Sequence, residues 1–349
     1  MSVVALSHGY PPLWNMGGEV ALHRAMTAIR GEKHVLTSTD ESYIFEGVNV
    51  HKINTPNVLD INANPAPIAK QLSDLNARVV IGQNELSLPA VRAGMNSKIV
   101  SIVNVHTPPR YGRGIAKAMR FADFAVYNTE TSAREWGEPD APVLHPPITP
   151  LPNRRITGGD AYTLLSSLSN KGVGVMLDLA ERYPDQRFIV VRSPAEPTHG
   201  LPNLEERAAK LPNLELHPRV PPEEVVKYFE QTRILLVPSR YETYGMSAIE
   251  AAGYGIPSVH VDTPHVREGI GEAAYLVPPL NTDATARGIE EIEGDYDYYS
   301  SIVRERAEWL EARQEQELKD FADFIDNVKK PINNIRRQRA VITAIRKIR

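Results

Sequence analysis

Short apolar runs alternate with segments of helical apolar spacing along most of this chain, which restricts it to parallel sheets covered by helices on both faces. Val3–Ser7 reads as a buried strand, Gly18–Ile29 as a helix and Lys33–Thr37 as a second strand. Helical spacing returns over Pro67–Leu75 and Ile115–Phe121, with strands over Val79–Ile81, Ile99–Val103 and Phe124–Asn128. The polar stretch Thr149–Asp160 carries Pro, Gly and basic residues without an apolar period, and is the expected linker. The alternation then restarts with strands over Tyr162–Leu165, Phe188–Val191, Leu214–His217, Ile234–Val237 and Ser258–Val261. Helices are expected between them over Gly172–Arg182, Pro222–Glu230 and Met246–Gly253, then over Ala284–Glu293 and Tyr298–Glu311. At 349 residues the chain is long enough for two such α/β units. In sheets of this kind ligands sit at the carboxyl ends of the strands, so two units turned toward each other would share one cleft.

Composition excludes several classes. A formal net charge of −4 gives no broad basic field for nucleic acid. The absence of cysteine removes disulfide scaffolds, thiolate nucleophiles and cysteine-based zinc sites. The first residues, Met1 to Leu6, have neither the basic lead nor the apolar core of a secretory signal. No apolar run approaches the ~18 residues needed to span a bilayer, so a cytoplasmic location is expected. From Lys329 to Arg349 there are eight basic and no acidic residues, with six Ile and Val interleaved. That tail reads either as a solvated helix or as an amphipathic segment touching an anionic membrane or polyanionic partner.

The most informative stretch runs from Pro238 to Pro257: Pro-Ser-Arg-Tyr-Glu-Thr-Tyr-Gly-Met-Ser-Ala-Ile-Glu-Ala-Ala-Gly-Tyr-Gly-Ile-Pro. It follows a buried strand, turns at Gly245 and opens a helix. Free N–H groups at such a helix start are suited to an anion. Glu250 lies roughly 6 Å further down the axis at ~1.5 Å per residue. That is where the ribose of a nucleotide would fall if its phosphate sat at the helix start, and a carboxylate accepts from two neighbouring hydroxyls. Glu242 precedes the turn, on the side where a sugar would lie. Two incidental glutamates on a surface helix are the plainer reading, but the strand–Pro-Ser–Glu–Gly–helix–Gly-x-Pro context favours a site.

With seven residues between them, Glu242 and Glu250 resemble the E-x7-E signature of retaining glycosyltransferases of GT-B fold, family 4 in particular. The resemblance spans about residues 1–310 and implies two Rossmann-like domains with parallel sheets facing a central cleft. The expected divisions are 1–150 for an acceptor domain, 151–310 for a nucleotide-sugar domain and 311–349 for helices packing back towards the first. By the same resemblance Glu250 holds the ribose, Glu242 contacts the donor sugar, and the amides of Gly245, Met246 and Ser247 receive the diphosphate.

Four further segments carry the likeness. His8-Gly9-Tyr10-Pro11-Pro12 followed by Gly17-Gly18 resembles the family's Pro-Pro…Gly-Gly loop, which meets donor phosphates and acceptor. Tyr10 and Trp14 in that loop can stack on a sugar ring or belong to local core. Ser101 to Pro108 ends a strand with His106, where family members place a histidine near the donor sugar, and Asn84 ends the preceding strand as a weaker acceptor candidate. Lys171-Gly172 matches the family's Lys-Gly, whose ammonium would offset charge on the leaving diphosphate. Ser166 stands where the family has arginine, so the second cation is either missing or supplied by Arg192 or Arg240. His217–Val220, including Arg219, lies where such enzymes meet the base, and Asp262 to Glu268 resembles the family's next loop.

These expectations add up to an enzyme that moves a hexose from a nucleoside diphosphate sugar to an acceptor hydroxyl with retention. The implied partners are the nucleotide-sugar donor and a sugar, lipid or protein acceptor. No cofactor and no metal are expected, because Lys171 and helix ends would hold the phosphates. The rivals are a weak or silent nucleotide-sugar-binding protein, a nucleotide-sugar epimerase, and a pyridoxal-phosphate-dependent phosphorylase on the same architecture. A dehydrogenase is disfavoured because no G-x-G-x-x-G follows the first strand.

Overall fold

The computed structural model describes residues 2–14, 17–38, 41–53, 64–95, 97–110, 112–148, 151–156, 158–193, 200–221 and 224–331. The chain divides into unit 1, Met1–Pro147 with Gln314–Arg349, and unit 2, Ile148–Arg313. Most of the basic tail, residues 332–349, lies outside the described residues, as do Thr149, Pro150, Thr157, Pro222 and Glu223 of the segments read above.

Unit 1 holds a seven-stranded sheet in the order β3-β4-β2-β1-β5-β6-β7. The strands are β1 (Ser2–Ser7), β2 (Glu32–Thr37), β3 (Tyr43–Phe45), β4 (Val48–Lys52), β5 (Ala77–Gln83), β6 (Val100–Val105) and β7 (Phe124–Tyr127). All neighbours pair in parallel except β3, which runs antiparallel to β4. Every residue of β1 is buried, as a central strand covered on both faces requires. Helices Gly17–Ala28, Ala66–Asp74, Ser87–Gly94, Arg113–Phe121 and Glu130–Glu135 supply the cover. Apolar clusters result around Val3, Leu22, Met26, Phe321 and Ile325, around Val4, Leu36, Leu72 and Val80, and around Val103, Ile115, Met119 and Trp136.

Unit 2 holds six strands in the order β10-β9-β8-β11-β12-β13, every pairing parallel. They are β8 (Ala161–Leu164), β9 (Phe188–Val191), β10 (Leu214–His217), β11 (Thr232–Val237), β12 (Ser258–Val261) and β13 (Tyr275–Val277). In both sheets the order reverses direction once, between β1 and β5 and between β8 and β11. At such switch points the neighbouring loops diverge and leave a crevice at the carboxyl edge.

Several expectations need correction. The segment read as a linker is packed on unit 2: Ile148 and Ile156 are buried, the Leu151 N–H donates to Glu311 at 2.8 Å and the Ile156 N–H to the Tyr254 carbonyl at 3.0 Å. The helix expected over Pro222–Glu230 is seen only as Val226–Phe229. The one expected over Tyr298–Glu311 runs far longer, from Tyr296 to Asn327. The β3–β4 hairpin, the Ser87–Gly94 helix and β13 were not foreseen.

Gly82 on β5 marks how closely the Ser87–Gly94 helix crosses its strand, since a β-carbon there would lie 2.5 Å from Ser87 Cα and 2.9 Å from Ala90 Cβ. Because the Ser87 contact is backbone, the helix itself must shift. We predict that Gly82→Val destabilises the protein by about 1–3 kcal/mol, read as a lower urea midpoint; an unchanged midpoint would mean the two elements separate freely.

Candidate functional site

The switch point of unit 2 is built from the loops that follow β8 and β11. Gly172 and Gly245 both have left-handed backbones, with φ of 96° and 88°, and each precedes a helix that has no side-chain cap at its start. At Gly172 a β-carbon would come 2.7 Å from Pro238 Cγ, so the two loops touch at this glycine. The Arg240 N–H donates to the Asn170 carbonyl at 2.8 Å, tying them again one step further out.

That contact brings Lys171 to Glu242. Lys171 Nζ donates to Glu242 Oε1 at 2.6 Å, and Ser239 Oγ donates to the same oxygen at 2.8 Å. The side chains are 33% and 15% exposed, so the pair is sheltered yet reachable. Thr263 Oγ1 donates to the Glu242 carbonyl at 3.1 Å and also accepts from the Val266 N–H, capping the Pro264–Glu268 helix. Behind the turn, Tyr244 is buried and its hydroxyl accepts from Arg313 Nη2 at 2.6 Å.

Gly245 opens the Met246–Gly253 helix, leaving the amides of its first turn, those of Met246 and Ser247 among them, without helical acceptors. Beneath the glycine lies His260, fully buried, with Nδ1 3.0 Å from the Val261 carbonyl and Nε2 without a hydrogen-bond partner among the described residues. Burial holds the His260 imidazole below its ordinary range, against the pull of Glu242. The sequence reading missed His260; a lone titratable group in an otherwise apolar strand was the available signal. Glu250, half-buried on the same helix, has its carboxyl pushed up to about 7 by burial alone.

Other predicted residues of unit 2 fall further out. Arg192 Nη2 donates to Glu205 at 2.7 Å, so of the two arginines weighed as a second cation, exposed Arg240 is the one rooted beside Lys171. Ser166 Oγ accepts from the Leu168 N–H at 3.4 Å. Arg219 is exposed past β10, near His217, which bonds to Glu215 at 2.9 Å.

In unit 1 the corresponding edge gathers the loops after β1, β5 and β6. Gly17 faces open space, whereas a β-carbon on Gly18 would lie 3.4 Å from Gln83 Nε2, a buried donor with no partner among the described residues. Asn84 takes a positive φ of 50° directly after β5. His106 directly follows β6 with its Nε2 closed off and unpartnered among the described residues, and burial pulls its imidazole down to about 4. Trp14 lies against Gly9, where a β-carbon would collide at 2.4 Å, and stays 46% exposed. Tyr10 is a correction: its ring is fully buried in the core, its hydroxyl 2.9 Å from His23 Nδ1, whose Nε2 is 3.0 Å from Glu46. It anchors the loop and is closed to an acceptor sugar.

Comparison with known proteins places this geometry. Residues 162–295 match the family of glycosyl transferases group 1. Anabaena HepE, in a crystal structure with UDP and glucose, superposes with a TM-score of 0.73 at 15% identity, over 93% of this chain and 99% of that one. Sucrose-phosphate synthase from Thermosynechococcus elongatus gives a TM-score of 0.76 at 14% identity, over 94% and 100%. A UDP-forming trehalose-phosphate synthase from Burkholderia xenovorans gives 0.66 at 9%, over 93% and 98%. These likenesses establish the GT-B fold. No curated protein sequence matches significantly.

Glu250 generates a test with a definite sign. Its carboxyl is raised, so the native state binds the proton more tightly than the unfolded chain between the ordinary carboxylate range and about pH 7. Stability is therefore lost as pH rises through that window and the buried group ionises. We predict that Glu250→Gln melts higher than the native protein at pH 8 and that the difference closes towards pH 5. A variant that melts lower at pH 8 would show that the ionised carboxylate is compensated.

Proposed function

We propose that this chain, whose residues 162–295 match the family of glycosyl transferases group 1, moves a hexose from a nucleoside diphosphate hexose to an acceptor hydroxyl with retention of anomeric configuration. The observation that carries this reading is the meeting of Lys171, Glu242 and the uncapped Gly245–Met246 helix start at one switch point. The diphosphate is assigned to the amides of Gly245, Met246 and Ser247 and to Lys171, with Arg240 as the nearer candidate for a second cation. Glu250 is assigned to the ribose, Glu242 to the sugar. HepE, whose structure also exists with UDP-glucose, supports a nucleotide-sugar donor of this class.

The chemistry proposed is front-face displacement. The bond between the anomeric carbon and the diphosphate oxygen breaks, its electron pair leaving with the diphosphate. The acceptor oxygen bonds to the same face of that carbon, and its proton passes to the departing diphosphate oxygen. Lys171 and the helix-start amides stabilise the charge that develops there, which is where fixed dipoles contribute most to rate. Lys171 is already paired with Glu242, so an incoming diphosphate competes with Glu242 for the ammonium. That competition leaves the carboxylate free to accept from sugar hydroxyls. Within unit 1, Trp14 and Asn84 are proposed as contacts of an acceptor.

A panel of UDP-, GDP- and ADP-hexoses tests the reading through nucleotide release and the anomeric proton couplings of the product. One donor is expected to turn over, giving a product of the donor's own anomeric configuration. Lys171→Met is expected to lower kcat about 100-fold while the nucleotide still raises the melting point, and Glu250→Ala to abolish that rise. Inversion of configuration, or native kcat in Lys171→Met, would overturn the assignment.

A further inference from the structure

Tyr244 stands between Glu242 and Gly245, and its ring is only 3% exposed. A phenylalanine would fill the same space without burying a hydroxyl, and a buried hydroxyl is costly unless it is bonded. Its partner is Arg313, whose Nη2 donates to it at 2.6 Å across 69 residues of sequence. A hydrogen bond with an ionised donor is among the stronger kinds. Arg313 closes a stripe on the Tyr296–Asn327 helix that begins at Arg306 and passes through Trp309, the spacing of one helix face. The guanidinium carbons of Arg306 and Arg313 lie 4.3 and 4.8 Å from the centroid of the Trp309 ring, where cation–π attraction holds them. Arg306 donates from Nε to the Gly269 carbonyl at 2.7 Å and from Nη2 to the Glu268 carbonyl at 3.1 Å. The stripe therefore grips the end of the Pro264–Glu268 helix and, through Arg313, the tip of Tyr244.

Gly269 completes the hold. A β-carbon there would lie 2.6 Å from the Tyr244 carbonyl oxygen, so that oxygen rests against the glycine. In a planar trans peptide the carbonyl and the following N–H point in opposite directions, and the Gly245 N–H is thereby turned away from Gly269. At the next α-carbon His260 closes the other side, its Nε2 2.6 Å from where a β-carbon of Gly245 would stand. The orientation of this one peptide depends on where the Tyr244 ring is held. We propose, resting on the transferase reading of this site, that Arg313 and Tyr244 form a positioning pair for the donor: their bond fixes the Tyr244–Gly245 peptide, and with it the Gly245 and Met246 amides that receive the diphosphate. Tyr244 is buried and acts through the backbone alone. The front of the turn has restraints of its own, since Thr263 Oγ1 donates to the Glu242 carbonyl at 3.1 Å and the Tyr241 hydroxyl lies 2.9 Å from His265 Nδ1. Loss of the Tyr244 hydroxyl therefore loosens the rear of the turn, from Tyr244 to Met246, and spares Glu242.

Tyr244→Phe removes a single oxygen and tests the pair, with UDP, GDP and ADP titrated calorimetrically into the full chain and amide hydrogen exchange followed without ligand. At least one of the three diphosphates is expected to bind the native protein. In Tyr244→Phe its Kd should rise about tenfold, and the Gly245 and Met246 amides should exchange about tenfold faster while those of β11 and β12 keep their native rates. Arg313→Met should give the same Kd and the double variant no further loss, as two halves of one bond require. Arg313→Lys, which can still donate to the hydroxyl, should fall between native and Arg313→Met. If Arg313→Met does not fold, Tyr244→Phe and Arg313→Lys decide. A lower urea midpoint in Tyr244→Phe with native Kd and native exchange marks a purely structural bond; it overturns the proposal and leaves the donor reading intact. So do losses that add in the double variant. Failure of all three diphosphates to bind the native protein overturns the donor reading, and the proposal with it.

Discussion

Beneath Gly245 the ring of His260 comes so close that a β-carbon would sit 2.6 Å from Nε2, and the glycine's φ of 88° adds a conformational bar to other residues. The close approach decides how unit 2 presents charge. A strand that must turn into a helix over a buried ring needs a residue without a side chain at the turn, and such a residue cannot cap the helix it starts. Elsewhere Thr129, Thr263 and Asn281 do cap, each accepting from an N–H three residues on. At Gly245 the first-turn amides stay open for an anion. Packing of the sheet and the uncapped helix start thus have one origin, and Gly172 repeats the arrangement on the neighbouring loop.

Charge at the switch point is kept deliberately incomplete. Lys171, Glu242 and Ser239 satisfy one another, so the loops hold their positions without a ligand. Glu250 has no such partner among the described residues, and burial drives its carboxyl up to about 7. A carboxylate held this way is costly to ionise without a hydrogen-bond donor, so stability alone does not account for its presence. The same logic covers unit 1, where Gln83 Nε2 and His106 Nε2 are closed off at the carboxyl edge without acceptors or donors among the described residues.

Much of this was legible in the amino-acid sequence, for a physical reason. Central parallel strands are buried on both faces, so β1, β9 and β11 carry apolar runs over Val3–Leu6, Phe188–Val191 and Ile234–Val237, and the Met246–Gly253 helix and the Ser258–Val261 strand fall where expected. The β3–β4 hairpin was illegible because β3 is short and exposed at the sheet edge, with no core to impose a period. The Ser87–Gly94 helix was hidden by its shortness and its entry, since it has eight residues, no side-chain cap, and follows a tight turn over Asn84–Leu86 that Asn84 opens at positive φ. Tyr10 and Trp14 show a deeper limit. Both are aromatic residues of one loop, and only tertiary partners decide that the first enters the core towards His23 while the second stays outside on Gly9.

Polarity of the strands accounts for the two edges of unit 1. Where parallel strands are joined by helical crossovers, helix starts gather at the carboxyl edge and helix ends at the amino edge. The carboxyl edge therefore offers N–H groups, and glycines and amides serve there. The amino edge offers carbonyls, which attract cations first. Arg78 and Lys330 answer five of them between Gly94 and Val328. Once those carbonyls are satisfied, Lys98 is left exposed on the same edge. A fold of this kind thus sorts its groups by direction, with open helix-start amides at one rim and carbonyl-bound cations at the other.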